Sequence, residues 1–138
     1  MRVYQRDEND DLKYIQSVEL DFLPDNPCNA LHFTELMLAI SPKGDLLVAG
    51  APVLKTAIDN NPTVKVHSKV VRIPLAQLGD SYFGGGSGRT ANPIVEPVLM
   101  DVTGKVNGST TAVEVDYDGS DWLFVTSWRA VGLTRCKL

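Results

Sequence analysis

Apolar positions along the chain come in short runs rich in β-branched and aromatic residues, and clusters of turn-forming residues separate them. This pattern predicts strands at 2–6, 13–20, 36–41, 46–51, 68–75, 94–102, 111–116, 122–127 and 130–137. Helical periodicity is missing except at 75–78, a stretch of about one turn. The connections carry the expected breakers, among them Asp10-Asp11, Pro42-Lys43-Gly44-Asp45 and Asp59-Asn60-Asn61-Pro62.

Two hairpins stand out. In the first, Leu38-Ala39-Ile40 and Leu46-Leu47-Val48-Ala49 flank Ser41-Pro42-Lys43-Gly44-Asp45. Pro presets φ near the start of that turn, and Gly supplies a left-handed position near its end. In the second, Val113-Glu114-Val115 and Trp122-Leu123-Phe124-Val125 flank the acidic turn 116–121. The hairpins lie about 75 residues apart, and flanking strands correspond, so the chain reads as an internal repeat. Segment 13–20 precedes the first hairpin as 94–102 precedes the second, and 68–75 follows the first as 130–137 follows the second.

The expected fold is therefore all-β: two four-stranded antiparallel, propeller-like blades over about 13–76 and 94–138. An extra N-terminal strand precedes them, and a Gly-rich connector, 77–93, joins them. A β-sandwich is the alternative. Continuous apolar runs such as Leu46-Leu47-Val48-Ala49-Gly50-Ala51 favour blades, because a strand covered on both faces has no reason to alternate.

The segment from Phe33 to Pro52 resembles the FG-GAP repeat of integrin-α-like propellers. It carries Phe33-Thr34, the apolar strand Leu36-Met37-Leu38-Ala39-Ile40, a polar turn, and Leu47-Val48-Ala49-Gly50-Ala51-Pro52. Thr34 stands where the family has its second Gly, and the second unit has Thr126-Ser127-Trp128 in place of Gly-Ala-Pro. The Ser-Pro-Lys-Gly-Asp turn is equally at home in WD-like propellers. The resemblance implies a propeller and a calcium loop between the middle strands, which here points to Asp116, Asp118 and Asp121. Calcium takes six to eight oxygens, and alternating carboxylates around a Gly turn can supply several. An Asp-rich β-turn is the plainer reading of the same residues.

Composition narrows the rest. The 138 residues are 43% hydrophobic and 22% charged, an ordinary globular balance. A net charge of -4 with scattered Lys and Arg argues against a nucleic-acid partner. No apolar run reaches the roughly 18 residues of a membrane span. The first residues carry no apolar stretch of the signal-peptide kind. Cys28 and Cys136 are too few for a disulfide framework, and either two free thiols or one bridge fits.

His32 and His67 have no metal-ligating neighbours at a useful spacing. No serine sits in a nucleophile elbow. The polyglycine stretch Gly84, Gly85, Gly86 and Gly88 with Arg89 lacks the ending of a phosphate loop, and no helix follows it. It reads as a flexible connector or as an arm that orders on a partner. Trp122 and Trp128 read as packing residues or, alternatively, as a sugar-stacking platform. The run Asp7-Glu8-Asn9-Asp10-Asp11 reads as a solvated hairpin tip. Asn107-Gly108-Ser109 is a glycosylation sequon in a turn, and an extracellular or surface setting fits it.

These features point away from an enzyme and toward a structural or adhesive module, with no cofactor unless calcium. Two blades cannot close a ring, so further blades, further copies or a protein partner are expected. A self-contained sandwich subunit of a virion or surface assembly is the second reading. A fragment of a metal-dependent propeller hydrolase is the third.

Overall fold

The computed structural model describes residues 1–6, 8–24, 39–59, 61–78 and 93–138. Its strands form three antiparallel sheets. β1 (Arg2–Arg6) and β2 (Leu12–Ser17) make a two-stranded ribbon. The central sheet runs β3 (Leu23–Pro24), β5 (Asp45–Ala51), β6 (Ser68–Pro74), β7 (Glu96–Asp101), with β4 (Ala39–Ile40) also paired to β5. The C-terminal sheet runs β8 (Ser109–Tyr117), β9 (Ser120–Ser127), β10 (Leu133–Lys137). A short helix α1 (Leu54–Ile58) and a 3-10 turn at Leu75–Gln77 complete the elements.

All-β architecture and both hairpins are as the sequence pattern predicts, but the grouping of strands differs. Glu96–Asp101 pairs with β6, not with β8, so it closes the first sheet instead of opening the second. Leu12–Ser17 pairs with β1, so the N-terminal strand is not alone and this segment does not lead into the first hairpin's sheet. Among the described residues the sheets therefore hold two, five and three strands, not two sets of four. The reason is geometric: apolar pattern fixes that a segment is a strand, whereas hydrogen-bonding neighbours are chosen by tertiary packing. Pro97 marks the outcome, since proline cannot donate to a ladder and suits the edge position that β7 occupies beside a register shift in β6. The helical turn at 54–58 was not expected.

The central sheet is covered on both faces, which explains the unbroken burial along β5. On one face, Leu46, Val48, Val71 and Ile73 pack against Val18, Phe22 and Leu78, with Met1 and Val3 at the margin. On the other, Leu47, Ala49 and Val70 pack against Val106, Ala112, Leu123 and Val125 of the C-terminal half. The order of layers is thus ribbon base with segment 18–22, central sheet, C-terminal sheet. Each fully buried Val or Leu here contributes about 1.5–3 kcal/mol relative to exposure.

Both hairpin turns use the chemistry read from the sequence. Gly44 takes φ +81°, and Ser41 Oγ accepts from the Lys43 and Asp45 amides at 3.2 and 3.1 Å. In the second, Tyr117 faces Ser120, leaving Asp118 (φ +54°) and Gly119 (φ +66°) as a two-residue turn. Positive φ at both central positions is the turn whose twist matches antiparallel strands, and Asp-Gly is a preferred pair for it.

Candidate functional site

The seam between the central and C-terminal sheets is apolar in the middle and polar at both ends. At one end, Ser68 Oγ accepts from the Gly108 and Ser109 amides at 3.0 and 2.8 Å, and Ser109 Oγ donates to Gly50 O at 2.8 Å. The loop that carries the chain from one sheet to the other is folded around Asp101. Its carboxylate accepts from Thr103 N, Thr103 Oγ1 and Val106 N at 2.6–2.8 Å. Burial pushes this carboxyl up, but those bonds together with the Gly104 amide outweigh it and hold the group below its ordinary value.

At the other end lies a charged cluster. Arg72 of β6 meets Glu114 of β8 with Nη2 to Oε2 at 2.5 Å, and its Nε lies 3.5 Å from Asp45 Oδ2. Lys43, in the first hairpin turn, donates to Asp121 Oδ2 at 2.5 Å and stands 3.7 Å from Glu114 Oε1. The Asp121 hydrogen bond raises the Lys43 ammonium above its ordinary value. The Glu114 side chain is fully buried, and neither its Oε1 nor Arg72 Nε has a hydrogen-bond partner among the described residues.

Glu114 pointing inward has a consequence for the rest of β8. Side chains alternate along a strand, so Val113, Val115 and Tyr117 point to the opposite face. Register places Val113 beside Phe124 and Val115 beside Trp122, and beyond them Arg135 and Lys137 of β10. Leu133 extends the same surface. Val113, Val115, Tyr117 and Leu133 are exposed, Tyr117 at 68%. Arg135 lies over the Trp122 ring, 5.0 Å from its centroid. The outer face of the C-terminal sheet is therefore an apolar surface with a basic margin, uncovered by any described residue.

The opposite end of the layer stack is acidic and partly hollow. A depression of about 320 Å³ is lined by Glu19, Leu20, Asp21, Lys69, Val71, Val95 and Pro97. Lys69, nearly buried, reaches both carboxylate oxygens of Asp21 at 2.6 Å and lies 5.6 Å from the Phe22 ring centroid. That bond holds the Asp21 carboxyl below its ordinary value. The ribbon stands beside this end. Tyr4 and Tyr14 pack edge to face, 5.8 Å between centroids, and with Leu12 they form an exposed apolar face. Arg6 pairs with Asp10 at the tip, at 2.7 Å.

Of the residues singled out from the sequence, Asp116 and Asp121 face each other across the β8–β9 ladder and Asp118 sits in the turn. Asp121 is held by Lys43, and the described residues contain no cluster of three His, Cys, Asp or Glu able to hold a metal ion.

Asn107 is engaged in structure. At φ +46° its Oδ1 accepts from Val66 N at 2.8 Å and its Nδ2 donates to Arg129 O at 3.3 Å. Ser109 of the same sequon is buried. In the folded chain that sequon is a structural joint.

Trp128 is half exposed over Gly108, with Arg129 stacked on its ring at 4.2 Å. Arg129 in turn donates to the carbonyls of Asp59, Asn61 and Val64. Cys136 is a free thiol packed against the seam. Cys28, His32, residues 33–38 of the FG-GAP-like segment, and Gly84, Gly85, Gly86, Gly88 and Arg89 lie outside the described residues.

Sequence reading missed the Arg72–Glu114–Lys43 cluster. Its members are far apart in the chain, and the strand pattern at Val113-Glu114-Val115 does not say which face is buried. No protein-family model and no curated protein matches the chain.

Proposed function

We propose that this chain is a non-enzymatic structural or adhesive module, one stretch of stacked β-layers within a larger propeller or multisubunit assembly. The observation that carries the reading is the outer face of the C-terminal sheet. Val113, Val115, Trp122, Phe124 and Leu133 form one apolar surface while Glu114 is turned inward against Arg72. A strand that spends a buried ion pair to face inward, and leaves its valines outward, is built to be covered on both sides. Large contiguous apolar patches on a soluble surface mark interaction sites. The double cover of the central sheet supports stacked blades over a two-layer sandwich, whose sheets keep one solvated face each.

The test is site-specific photocrosslinking in the native cell, with a photoreactive side chain at Val115 and a control at exposed Lys105. The expected result is a discrete adduct at Val115 and none at Lys105. No adduct at Val115, or the same adducts at both positions, overturns the reading.

A further inference from the structure

Resting on that reading, we infer that the occupant of the outer sheet face is the ribbon end of a second copy of this chain. The layers run in a fixed order, with the ribbon at one end and the uncovered face of β8–β9–β10 at the other. Each end presents what the other lacks. The ribbon offers Tyr4, Leu12 and Tyr14, all exposed, on a unit of two strands among the described residues. Such a ribbon is only marginally stable without a surface to lie on. The sheet offers that surface.

Charge makes the pairing directional. The ribbon tip carries Glu8, Asp10 and Asp11 against Lys13 and Arg6, the last paired with Asp10. Glu19 and Asp21 sit at the same end, beside the depression. On the outer face β10 carries Arg135 beside Phe124 and Lys137 beside Trp122. Two outer faces meeting each other bring together two surfaces of the same sign, whereas ribbon on face joins acidic to basic. The contact is therefore heterologous, head to tail. Repeated, it closes into a ring if the rotation per copy allows and otherwise runs on as a filament.

Sedimentation velocity over a concentration series tests this with three proteins. The unmodified chain is expected to gain mass with concentration, by roughly twofold or more, and to lose that gain at high salt. A ribbon variant, Leu12→Asp with Tyr14→Asp, and a face variant, Val113→Lys with Val115→Lys, should each remain a monomer. Mixed, they should form a 1:1 dimer and nothing larger, because one still has its face and the other its ribbon. An isologous contact would instead let the variant that keeps the responsible surface dimerise with itself before mixing, which overturns the proposal.

Carbodiimide crosslinking of mixed light and heavy-isotope unmodified chains gives a readout that does not depend on the variants folding. Adducts between the tip carboxylates and Lys137 should join a light to a heavy chain. A monomer at every concentration, a mixture that stays monomeric, or tip-to-Lys137 adducts confined to one chain overturns the proposal. If the isolated chain is monomeric while Val115 still crosslinks in the cell, self-assembly falls and the module reading stands.

Discussion

Gly108 and Gly119 both hold positive φ, at +85° and +66°, but their surroundings differ. A Cβ at Gly119 meets nothing within 4 Å, whereas at Gly108 it lands 2.4 Å from Trp128 Nε1. Gly119→Ala should therefore cost only the left-handed backbone term, about 1–2 kcal/mol. Gly108→Ala should cost clearly more. Trp128 has to move, and with it Arg129, whose donors hold the carbonyls of Asp59, Asn61 and Val64. Urea unfolding of the two variants checks the order, and equal losses would show that the Trp128 contact is soft. The tight fit also accounts for the sequon residues being glycine and serine here. Gly108 admits the ring, and Ser109 ties the seam to Gly50.

Among the elements, β8 is held to the central sheet by a charge pair where an apolar side chain could have stood. Removing one partner of a buried pair leaves the other desolvated and alone, at about 3–5 kcal/mol, while replacing both with apolar residues is often neutral. Glu114→Leu should thus lower stability by about 3 kcal/mol, toward the low end because Asp45 remains near Arg72 and Arg72 keeps some solvent contact. Arg72→Met combined with Glu114→Leu should regain most of that loss in the same denaturant titration. A double variant no better than the single would mean that Arg72 is not the residue Glu114 serves.

The same strand shows how far the chain could be read. The turn residues Ser41-Pro42-Lys43-Gly44 and Asp118-Gly119 act locally, so both hairpins were legible. The assignment of 94–102 to the second sheet failed because its true neighbour, β6, is separated from it by a long connector. The loop at 101–108 also resembles an ordinary inter-strand turn until Asp101 is seen folding it. The acids at 116–121 were legible as a turn, with a calcium loop implied by the resemblance alone, and the register sets Asp116 opposite Asp121. The inward orientation of Glu114 was not legible, since it depends on Arg72, forty-two positions earlier.

For the molecule as a whole, the layer order predicts a graded stability. β5 and β6 bury both faces, and opening them exposes both apolar clusters at once, so their amides exchange only through global unfolding. The ribbon is anchored mainly at its base, where Val18 N donates to Met1 O at 2.8 Å and Gln16 Nε2 to Gln77 O at 3.0 Å. Its outer half carries exposed Tyr4, Leu12 and Tyr14, so it can open without disturbing either cluster. Hydrogen exchange at low protein concentration should show β1–β2 amides exchanging by local opening, well before Val48, Val70 and Val71. Raising the concentration should then slow the ribbon selectively, because a docked copy supplies the third layer it lacks, and leave the central amides unchanged. The outer amides of β8 and β10 should gain protection in parallel with the ribbon. Protection that rises in the ribbon alone would place its contact elsewhere than on the C-terminal face. Exchange independent of concentration in both would mean that the two ends of the stack are covered by something other than each other.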